Sequence, residues 1–368
     1  MKPFIFSADS HVREPNSLFL DGLPESLRRH AVRVVKEDDA MITRTEDKVI
    51  FRLRLAKNPD FGGATRLGIH DLGGRLIDME KDGIDAEIAF PSLGLWLYAI
   101  DDPEAELGQC EIYNNWNNQY FGDHLNRFVR CGVLPVRNLD AAQTEMKRIA
   151  AMGFTAAMLP SITPAGIPRY NDPAWDPVFH LAGELGIVLV LHTGTGAETV
   201  IAERGPGAAV VNYSTQMSDG IDAIMYMVAG GLLDRNPKCK VAVIECGASW
   251  LAALAERMDE VYVAHDIFVR PKLSMMPSEI IRRQVTVSFQ HDRACIMSRS
   301  VTGTQSIMFA SDYPHAEGTF PHTQDVVGKL FDGIDISEDE KLDILGRNAA
   351  RLFRFDHPSV ATPEKIAA

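Results

Sequence analysis

The sequence predicts an α/β protein built as a (β/α)₈ TIM barrel, a ring of eight parallel strands surrounded by helices, with a small β-hairpin insertion after strand 1. Eight short apolar runs alternate with helical segments, and each run is continuously apolar, as in strands buried on both faces. The 368 residues, 46% of them hydrophobic, suffice for one such barrel. The runner-up is a doubly wound open sheet, which is disfavoured because no G-x-G-x-x-G or phosphate-binding loop follows any strand.

The predicted barrel strands recur at regular intervals along the chain. They are Phe4–Ala8, Ile84–Phe90, Val129–Val136, Thr155–Leu159, Gly186–Leu191, Lys240–Ile244, Val285–Phe289 and Ser306–Ala310. Between the first two strands, acidic turns separate three β-prone pieces, and this pattern predicts the inserted hairpin. The three pieces are Ala31–Val35, Met41–Arg44 and Lys48–Leu53.

Helices are predicted after the strands. Pro103 suits a first helical turn, and Asp172 is a candidate helix cap. We predict one barrel domain over residues 1–355 with an insertion at about 16–75, and a C-terminal arm over 356–368. The predicted helices are Arg75–Asp82, Asp102–Asn126, Leu139–Met152, Pro173–Leu185, Ser218–Leu233, Ser249–Ala264, Arg293–Thr302, His322–Phe331 and Ser337–Phe353.

Charge and composition limit the partners and the compartment. The formal net charge of −13 argues against nucleic acid or an anionic membrane surface as a partner. Five cysteines, an odd number without C-x-x-C spacing, argue against a disulfide framework or a structural zinc site. We find neither a signal peptide nor an apolar run approaching the roughly 18 residues of a membrane span. We therefore expect a cytoplasmic protein that acts on a small molecule.

Residues of metal-binding type stand at the ends of four predicted strands. Parallel barrels build their active sites at the carboxyl ends of the strands, where all eight strands meet. Two residues that lie two positions apart on the first strand point to the same side. The pattern therefore predicts a divalent-metal site, and its candidate ligands are Asp9, His11, His192, Glu245, Asp312 and His315.

Most candidates also have a structural interpretation, and for His11 it is a surface histidine. Asp9 can cap a turn, His192 can be a core histidine with satisfied hydrogen bonds, and Glu245 can pair with an arginine. His315 can orient a carboxylate instead of binding the ion. Asp312 can bind metal or act as a general base on a metal-bound water.

Four segments resemble the amidohydrolase superfamily, in the branch related to aminocarboxymuconate-semialdehyde decarboxylase. They are Ala8–Pro15, Arg75–Asp85 with Phe90–Ser92, Leu191–Gly194 and Ala310–His315. The resemblance covers nearly the whole chain. It implies a (β/α)₈ barrel with a divalent metal at the strand ends, and a homodimer. It also implies hydrolysis, decarboxylation or hydration of small, often aromatic or unsaturated, acids.

The branch pattern has His-x-His on strand one, a histidine on each of strands five and six, and an aspartate on strand eight. His11, His192 and Asp312 match it, whereas Asp9 replaces the first histidine and Glu245 stands at the strand-six position. Additional oxygen ligands shift the expected ion from zinc towards manganese or iron. No lysine ends strand four, so in a site of two ions Glu245 would be the bridge.

The main functional prediction is a metal-dependent hydrolase of a small, carboxylate-bearing substrate. Asp312 or Glu245 would take the proton of a metal-activated water. The alternative is a non-oxidative decarboxylase of an aromatic or unsaturated acid, with Arg13 near the substrate carboxylate. A dinuclear iron or manganese oxygenase and a metal-free binding protein are less favoured. Glu14 is expected to pair with the backbone or with a basic residue, and His291 is a weaker site candidate.

Overall fold

Eight parallel strands form the predicted ring. A computed structural model describes residues 2–54, 66–196, 203, 205–358 and 360. The first barrel strand is split into two short pieces, and the second piece carries His11. The ring comprises Phe6–Ser7 with His11–Val12, Ala86–Pro91, Phe128–Val133, Ala156–Pro160, Val188–His192, Lys240–Ile244, Val285–Phe289 and Ile307–Phe309.

The strands pair in chain order around the ring, and every neighbouring pair is parallel. The last strand meets the first through the backbone, because the Ala8 amide donates to the Phe309 carbonyl at 3.0 Å. Lys240 is the one residue of these strands that is not fully buried. Burial on both faces explains why the strands are continuously apolar rather than alternating.

The predicted insertion is a three-stranded antiparallel sheet rather than a two-stranded hairpin. Its strands are Arg33–Glu37, Ala40–Arg44 and Val49–Arg54. Phe51 stacks on Trp96 with ring centroids 4.9 Å apart, so the sheet rests on the loop after the second barrel strand. Residues 55–65 of the predicted insertion lie outside the described residues.

Helices connect the strands around the outside of the ring. Asp102 caps one of them, because its side chain accepts from the Glu104 and Ala105 amides. Gly186, with φ of 63°, ends the helix before the fifth strand in the left-handed conformation that glycine adopts readily. The described α-helices are Leu18–Gly22, Leu72–Asp82, Pro103–Phe121, Leu139–Ala151, Asp176–Leu185, Ala208–Thr215, Met217–Ala229, Leu232–Arg235, Trp250–Ala264, Pro277–Gln284, Arg293–Met297, Arg299–Thr302, Thr323–Leu330, Glu338–Leu342 and Asn348–Leu352.

Several helix bounds differ from prediction. The helix predicted over Asp102–Asn126 ends at Phe121, where a short 3₁₀ turn follows. The helix predicted over Ser218–Leu233 is divided next to Gly231, which has φ of 74°. None of the helices in the described part of the chain is long and apolar enough to cross a membrane. Three helices were not predicted from the sequence, namely Leu18–Gly22, Ala208–Thr215 and Pro277–Gln284.

The carboxyl-terminal end of the described chain packs under the amino-terminal face of the barrel. The His357 ring stacks on Phe4 with centroids 3.8 Å apart, and Val360 is buried. Of the predicted arm over 356–368, residues 359 and 361–368 lie outside the described part of the chain.

Glu14 joins the loops that follow the first and second barrel strands. Its buried carboxylate accepts from the amides of Ser92 at 3.1 Å, Leu93 at 2.8 Å and Gly94 at 2.9 Å. These bonds match the expected pairing with the backbone. They fix two neighbouring loops at the rim where the candidate ligands lie.

Replacing this carboxylate should loosen the rim. We expect Glu14→Ala to cost roughly 3 kcal/mol of unfolding free energy, since three amides lose a charged acceptor. Urea denaturation should show this loss, with the exposed Glu25→Ala as the matched control. A loss below about 1 kcal/mol would show that water replaces the carboxylate without penalty.

Candidate metal centre

The side chains predicted at the strand ends converge at the carboxyl rim of the barrel. The Nε2 atom of His11 lies 3.1 Å from His192 Nε2 and 3.6 Å from Asp9 Oδ1. The same atom is 3.9 Å from both Glu245 Oε2 and Asp312 Oδ1. Four segments that are distant along the chain therefore contribute to one cluster around His11.

The ligand atoms form two overlapping groups, and within each group all atoms lie within 4.8 Å of one another. Each group offers four nitrogen or oxygen atoms, the donor type that suits zinc, manganese or iron. His11 and Glu245 belong to both groups. The first is completed by Asp9 and His192, and the second by Asp312 and His315.

Strand pairing explains this convergence. His192 ends the fifth strand and pairs with Ile244, so Glu245 is the next residue along the adjacent strand. Ser10 forms a parallel bridge with Tyr313, which places the ends of the first and eighth strands side by side. Because the ring closes at that seam, residues from both ends of the chain share one site.

The two carboxylate residues that end strands six and eight have an unusual backbone. Glu245 has φ of 59° and Asp312 has φ of 51°, which is the left-handed region. This conformation costs a residue with a side chain about 1–2 kcal/mol relative to the right-handed one. Such outliers concentrate at functional sites, and both of these lie directly at the cluster.

Both buried imidazoles present Nε2 to the centre of the cluster. His11 Nδ1 lies 3.0 Å from the Pro91 carbonyl, and His192 Nδ1 lies 3.0 Å from the Thr193 carbonyl. Since a carbonyl can only accept, the ring proton belongs on Nδ1 and each Nε2 carries a lone pair. When both rings are neutral, these two lone pairs lie only 3.1 Å apart and repel each other, and either a metal ion or a proton on one Nε2 removes that repulsion.

The pKa values of these imidazoles move in opposite directions. Burial, followed by the nearby His315 and His192, lowers the pKa of His11 well below its ordinary value of 6.5. Burial also acts to lower the pKa of His192, but Asp9 and Glu245 outweigh it and raise that pKa. His11 is therefore the neutral imidazole, suited to act as a ligand, in the absence of any ion.

Three carboxylate oxygens of the cluster lack hydrogen-bond partners among the described residues. Both oxygens of Asp9 and the Oδ2 atom of Asp312 are buried, and no described residue hydrogen-bonds to them. Burial and the charge of Asp312 raise the pKa of Glu245 well above its usual range. Burial and the charge of Asp9 do the same for Asp312. A cation would remove this penalty, because buried charges are stable only when compensated.

His315 contacts the cluster from its more open side. Its Nδ1 lies 2.9 Å from Asp312 Oδ1, and about a third of its side chain is exposed. Its ring centroid is 4.3 Å from that of His11. The hydrogen bond supports the interpretation of His315 as the partner that orients Asp312. The weaker candidate His291 is exposed and belongs to neither ligand group.

Sequence reasoning missed the residues that hold the ligands in place. The Pro91 and Thr193 carbonyls fix the two histidines, and Arg75 donates to the His11 carbonyl at 2.6 Å. Backbone carbonyls leave no signature in a sequence. Arg75 did have a sequence signal, because it is the first residue of the segment Arg75–Asp85 that resembles the amidohydrolase superfamily. An arginine on a helix is nevertheless ordinarily expected to face solvent.

A family model described as amidohydrolase matches residues 28–355, most of the chain. The chain belongs to the amidohydrolase family. The resemblance seen in the sequence is thereby confirmed, although Asp9 and His11 precede the matched residues.

One curated relative of this amidohydrolase is the γ-resorcylate decarboxylase of Rhodococcus jostii. The two sequences are 24% identical over 244 residues, which is 63% of this chain and 72% of the relative. The relative's name places it among the decarboxylases of aromatic acids rather than among the hydrolases.

Solved structures share the fold at low sequence identity. An amidohydrolase from Mycobacterium avium subsp. paratuberculosis matches with a TM-score of 0.78 at 19% identity, covering 96% of this chain and 100% of that chain. The 5-carboxyvanillate decarboxylase from Sphingomonas paucimobilis gives 0.71 at 22%, with the same coverage. A Polaromonas dihydroxybenzoic acid decarboxylase, solved with manganese and 2-nitroresorcinol, gives 0.65 at 16%, covering 96% and 98%. These likenesses confirm the barrel.

The uncompensated carboxylates should make the metal-free protein sensitive to pH. A carboxyl whose pKa is raised by folding contributes stability at low pH, and this contribution is lost as pH rises above its ordinary range. In chelator at pH 8, Asp312→Asn should therefore raise the melting temperature by at least about 2 °C. At pH 4 the gain should shrink.

Thermal melting of the two proteins between pH 4 and pH 8 provides this measurement, with the exposed Asp123→Asn as the control. If the melting temperatures of wild type and Asp312→Asn changed with pH in the same way, the idea that Asp312 carries an uncompensated charge in the metal-free protein would be wrong.

Proposed function

We propose that this amidohydrolase is a metal-dependent decarboxylase of an aromatic carboxylic acid. The observation that carries the proposal is the pair of imidazole Nε2 atoms that face each other at 3.1 Å, beside buried carboxylate oxygens without hydrogen-bond partners among the described residues. This donor set fits a divalent ion, and its oxygen content suits manganese or iron as well as zinc. We assign the binding of one ion to the first group, which is Asp9, His11, His192 and Glu245.

Decarboxylation explains the relatives better than hydrolysis, the main prediction from the sequence. The curated relative and two of the three structural neighbours named above are decarboxylases of hydroxylated benzoic acids. The site also offers a general base for hydrolysis, because Glu245 Oε2 lies 3.2 Å from His192 Nε2. We therefore treat hydrolysis as the competing outcome of the test.

A divalent ion bound there would hold the substrate carboxylate and an adjacent oxygen. Asp312 supplies the proton, since its raised pKa favours the acid form and its Oδ2 atom has no described partner. The proton passes to the ring carbon that bears the carboxylate. The carbon–carboxylate bond then breaks, its electron pair restores the aromatic ring, and carbon dioxide leaves.

His315 returns Asp312 to its starting state. It is hydrogen-bonded to Asp312 Oδ1 and exposed to solvent, so it can pass a proton inward from water. Each turnover consumes one proton and one carboxylate and releases one carbon dioxide. Arg13 is half-buried two residues after His11, and we assign it to the substrate's negative charge.

We further propose a homodimer in a reducing compartment such as the cytoplasm. Val263, Ile267 and Phe268 are large apolar side chains, each at least 65% exposed, and their proximity along one segment supports self-association. All five cysteines are buried free thiols, which supports a reducing environment.

The assigned reaction is testable by product analysis. Manganese-loaded protein incubated with a panel of hydroxybenzoic acids should release carbon dioxide in amounts equal to the decarboxylated product. A parallel panel of amides, esters and lactones should remain intact. If the amides, esters or lactones were hydrolysed and the hydroxybenzoic acids released no carbon dioxide, the protein would be a hydrolase instead.

Binding and proton transfer should separate by mutation. His192→Ala should weaken manganese binding at least about 100-fold because a direct ligand is lost. Asp312→Asn should retain the ion while kcat falls about 10²- to 10⁴-fold, the usual contribution of a general acid. Metal titration with single-turnover kinetics distinguishes these effects, and the exposed His180→Ala is the control. If Asp312→Asn lost the ion as completely as His192→Ala, Asp312 would be a ligand rather than the acid.

A further inference from the structure

The guanidinium of Arg75 is wholly buried behind the metal centre, at the seam where the barrel closes. Its Nη1 donates to the His11 carbonyl at 2.6 Å, and its Nε forms a short hydrogen bond to the Glu87 carboxylate. Its Cζ lies 5.1 Å from the centroid of the Tyr313 ring, within the range of a cation–π contact. One side chain thus contacts the first, second and eighth barrel strands or their ends.

Two of these contacts meet at the cluster. Tyr313 directly follows Asp312, and its carbonyl accepts from the His11 amide at 2.6 Å. The Tyr313 hydroxyl donates to Asp78 Oδ2 at 2.6 Å, so the helix that carries Arg75 also fixes the ring. The backbone of His11 is therefore held through its carbonyl by Arg75 and through its amide by the strand-eight end.

A buried ion pair of this kind needs an explanation other than stability. Removing two charges from water costs about as much as their attraction returns, and apolar residues of similar volume often stabilise a core equally well. Arg75 and Glu87 nevertheless occupy a buried position that packed apolar side chains could fill. The pair does supply a geometric constraint that an apolar pair cannot, namely the hydrogen bond to the His11 carbonyl.

We propose that Arg75 is a positioning residue, which sets the place of His11 Nε2 for the ion and is itself positioned by Glu87. This inference rests on the proposed metal centre. Arg75 contacts neither substrate nor ion. Its effect passes through the backbone of His11, the one histidine that belongs to both ligand groups.

The third guanidinium nitrogen of Arg75, Nη2, differs from the other two. Its Nη2 atom is buried and has no hydrogen-bond partner among the described residues. It borders a cavity of about 10 Å³, which is also lined by Asp78, Asp82 and Ser311. Met79, Ile84 and Phe320 also line this cavity, and its volume is about that of one water. Arg75 is thus held through Nε by Glu87, while Nη1 holds the His11 carbonyl.

The test separates positioning from stability by removing the pair as a unit. Arg75→Met alone should unfold at lower urea, because Glu87 is left buried without a partner. The double variant Arg75→Met with Glu87→Leu should recover a urea midpoint close to wild type. It should nevertheless bind manganese about 10- to 100-fold more weakly, as expected when the support of a ligand is lost. At saturating manganese its EPR spectrum should differ from that of wild type.

Arg75→Lys, which keeps one donor, should recover part of the manganese affinity. The control is Arg130→Met, which removes a buried arginine of the third strand that donates to the Met152 carbonyl at 2.9 Å. It should lower stability without changing manganese affinity.

Two outcomes distinguish this inference from the proposed function. A stable double variant with wild-type manganese affinity and an unchanged spectrum overturns the role of Arg75 and leaves the metal centre intact. A wild-type protein that binds no divalent ion overturns both. A double variant that fails to fold, while Arg75→Lys binds manganese as wild type does, also overturns the positioning role.

Discussion

The architecture of the rim depends on one electrostatic constraint, the compensation of charge around two imidazole nitrogens. His11 and His192 are fixed by backbone carbonyls so that their Nε2 atoms face each other at 3.1 Å. Asp9 and Asp312 add three buried carboxylate oxygens to which no described residue hydrogen-bonds. A protein interior holds such groups together only when a cation balances them. The fold therefore carries an electrostatic cost that binding of an ion repays.

The barrel makes that arrangement possible because parallel strands bring distant segments to one rim. Strand pairing sets His192 beside Glu245, and ring closure sets Asp9 beside Asp312. Hydrophobic burial of the strands supplies the stability, so the rim is free to carry polar and strained residues. Glu245 and Asp312 are examples. Their left-handed backbone conformation is energetically unfavourable, but it places their carboxylates at the cluster.

The sequence predicted the barrel and the six side chains that the structure brings together, because each stands within five residues of the end of an apolar run. Periodicity and burial are encoded locally, so those features could be read. The supports of the site could not, since the Pro91 and Thr193 carbonyls belong to every residue type. The burial of Arg75 depends on tertiary packing, which the sequence does not show locally. Pro277 stands in the first turn of a helix, and this signal was available in the sequence although the helix was not predicted. The choice between hydrolysis and decarboxylation depends on how a substrate sits, which no residue pattern states.

The seam between the first and last strands links the stability of the folded protein to metal binding. Asp9 and Asp312 stand near opposite ends of the chain, yet both border the place where an ion would bind. An ion that binds only the closed ring stabilises it by about 2.7 kcal/mol at a free concentration one hundred times its dissociation constant. Scarcity of the metal would then lower the stability of the folded protein as well as its catalytic rate, because the same ion would take part in the reaction and hold the first and last strands together.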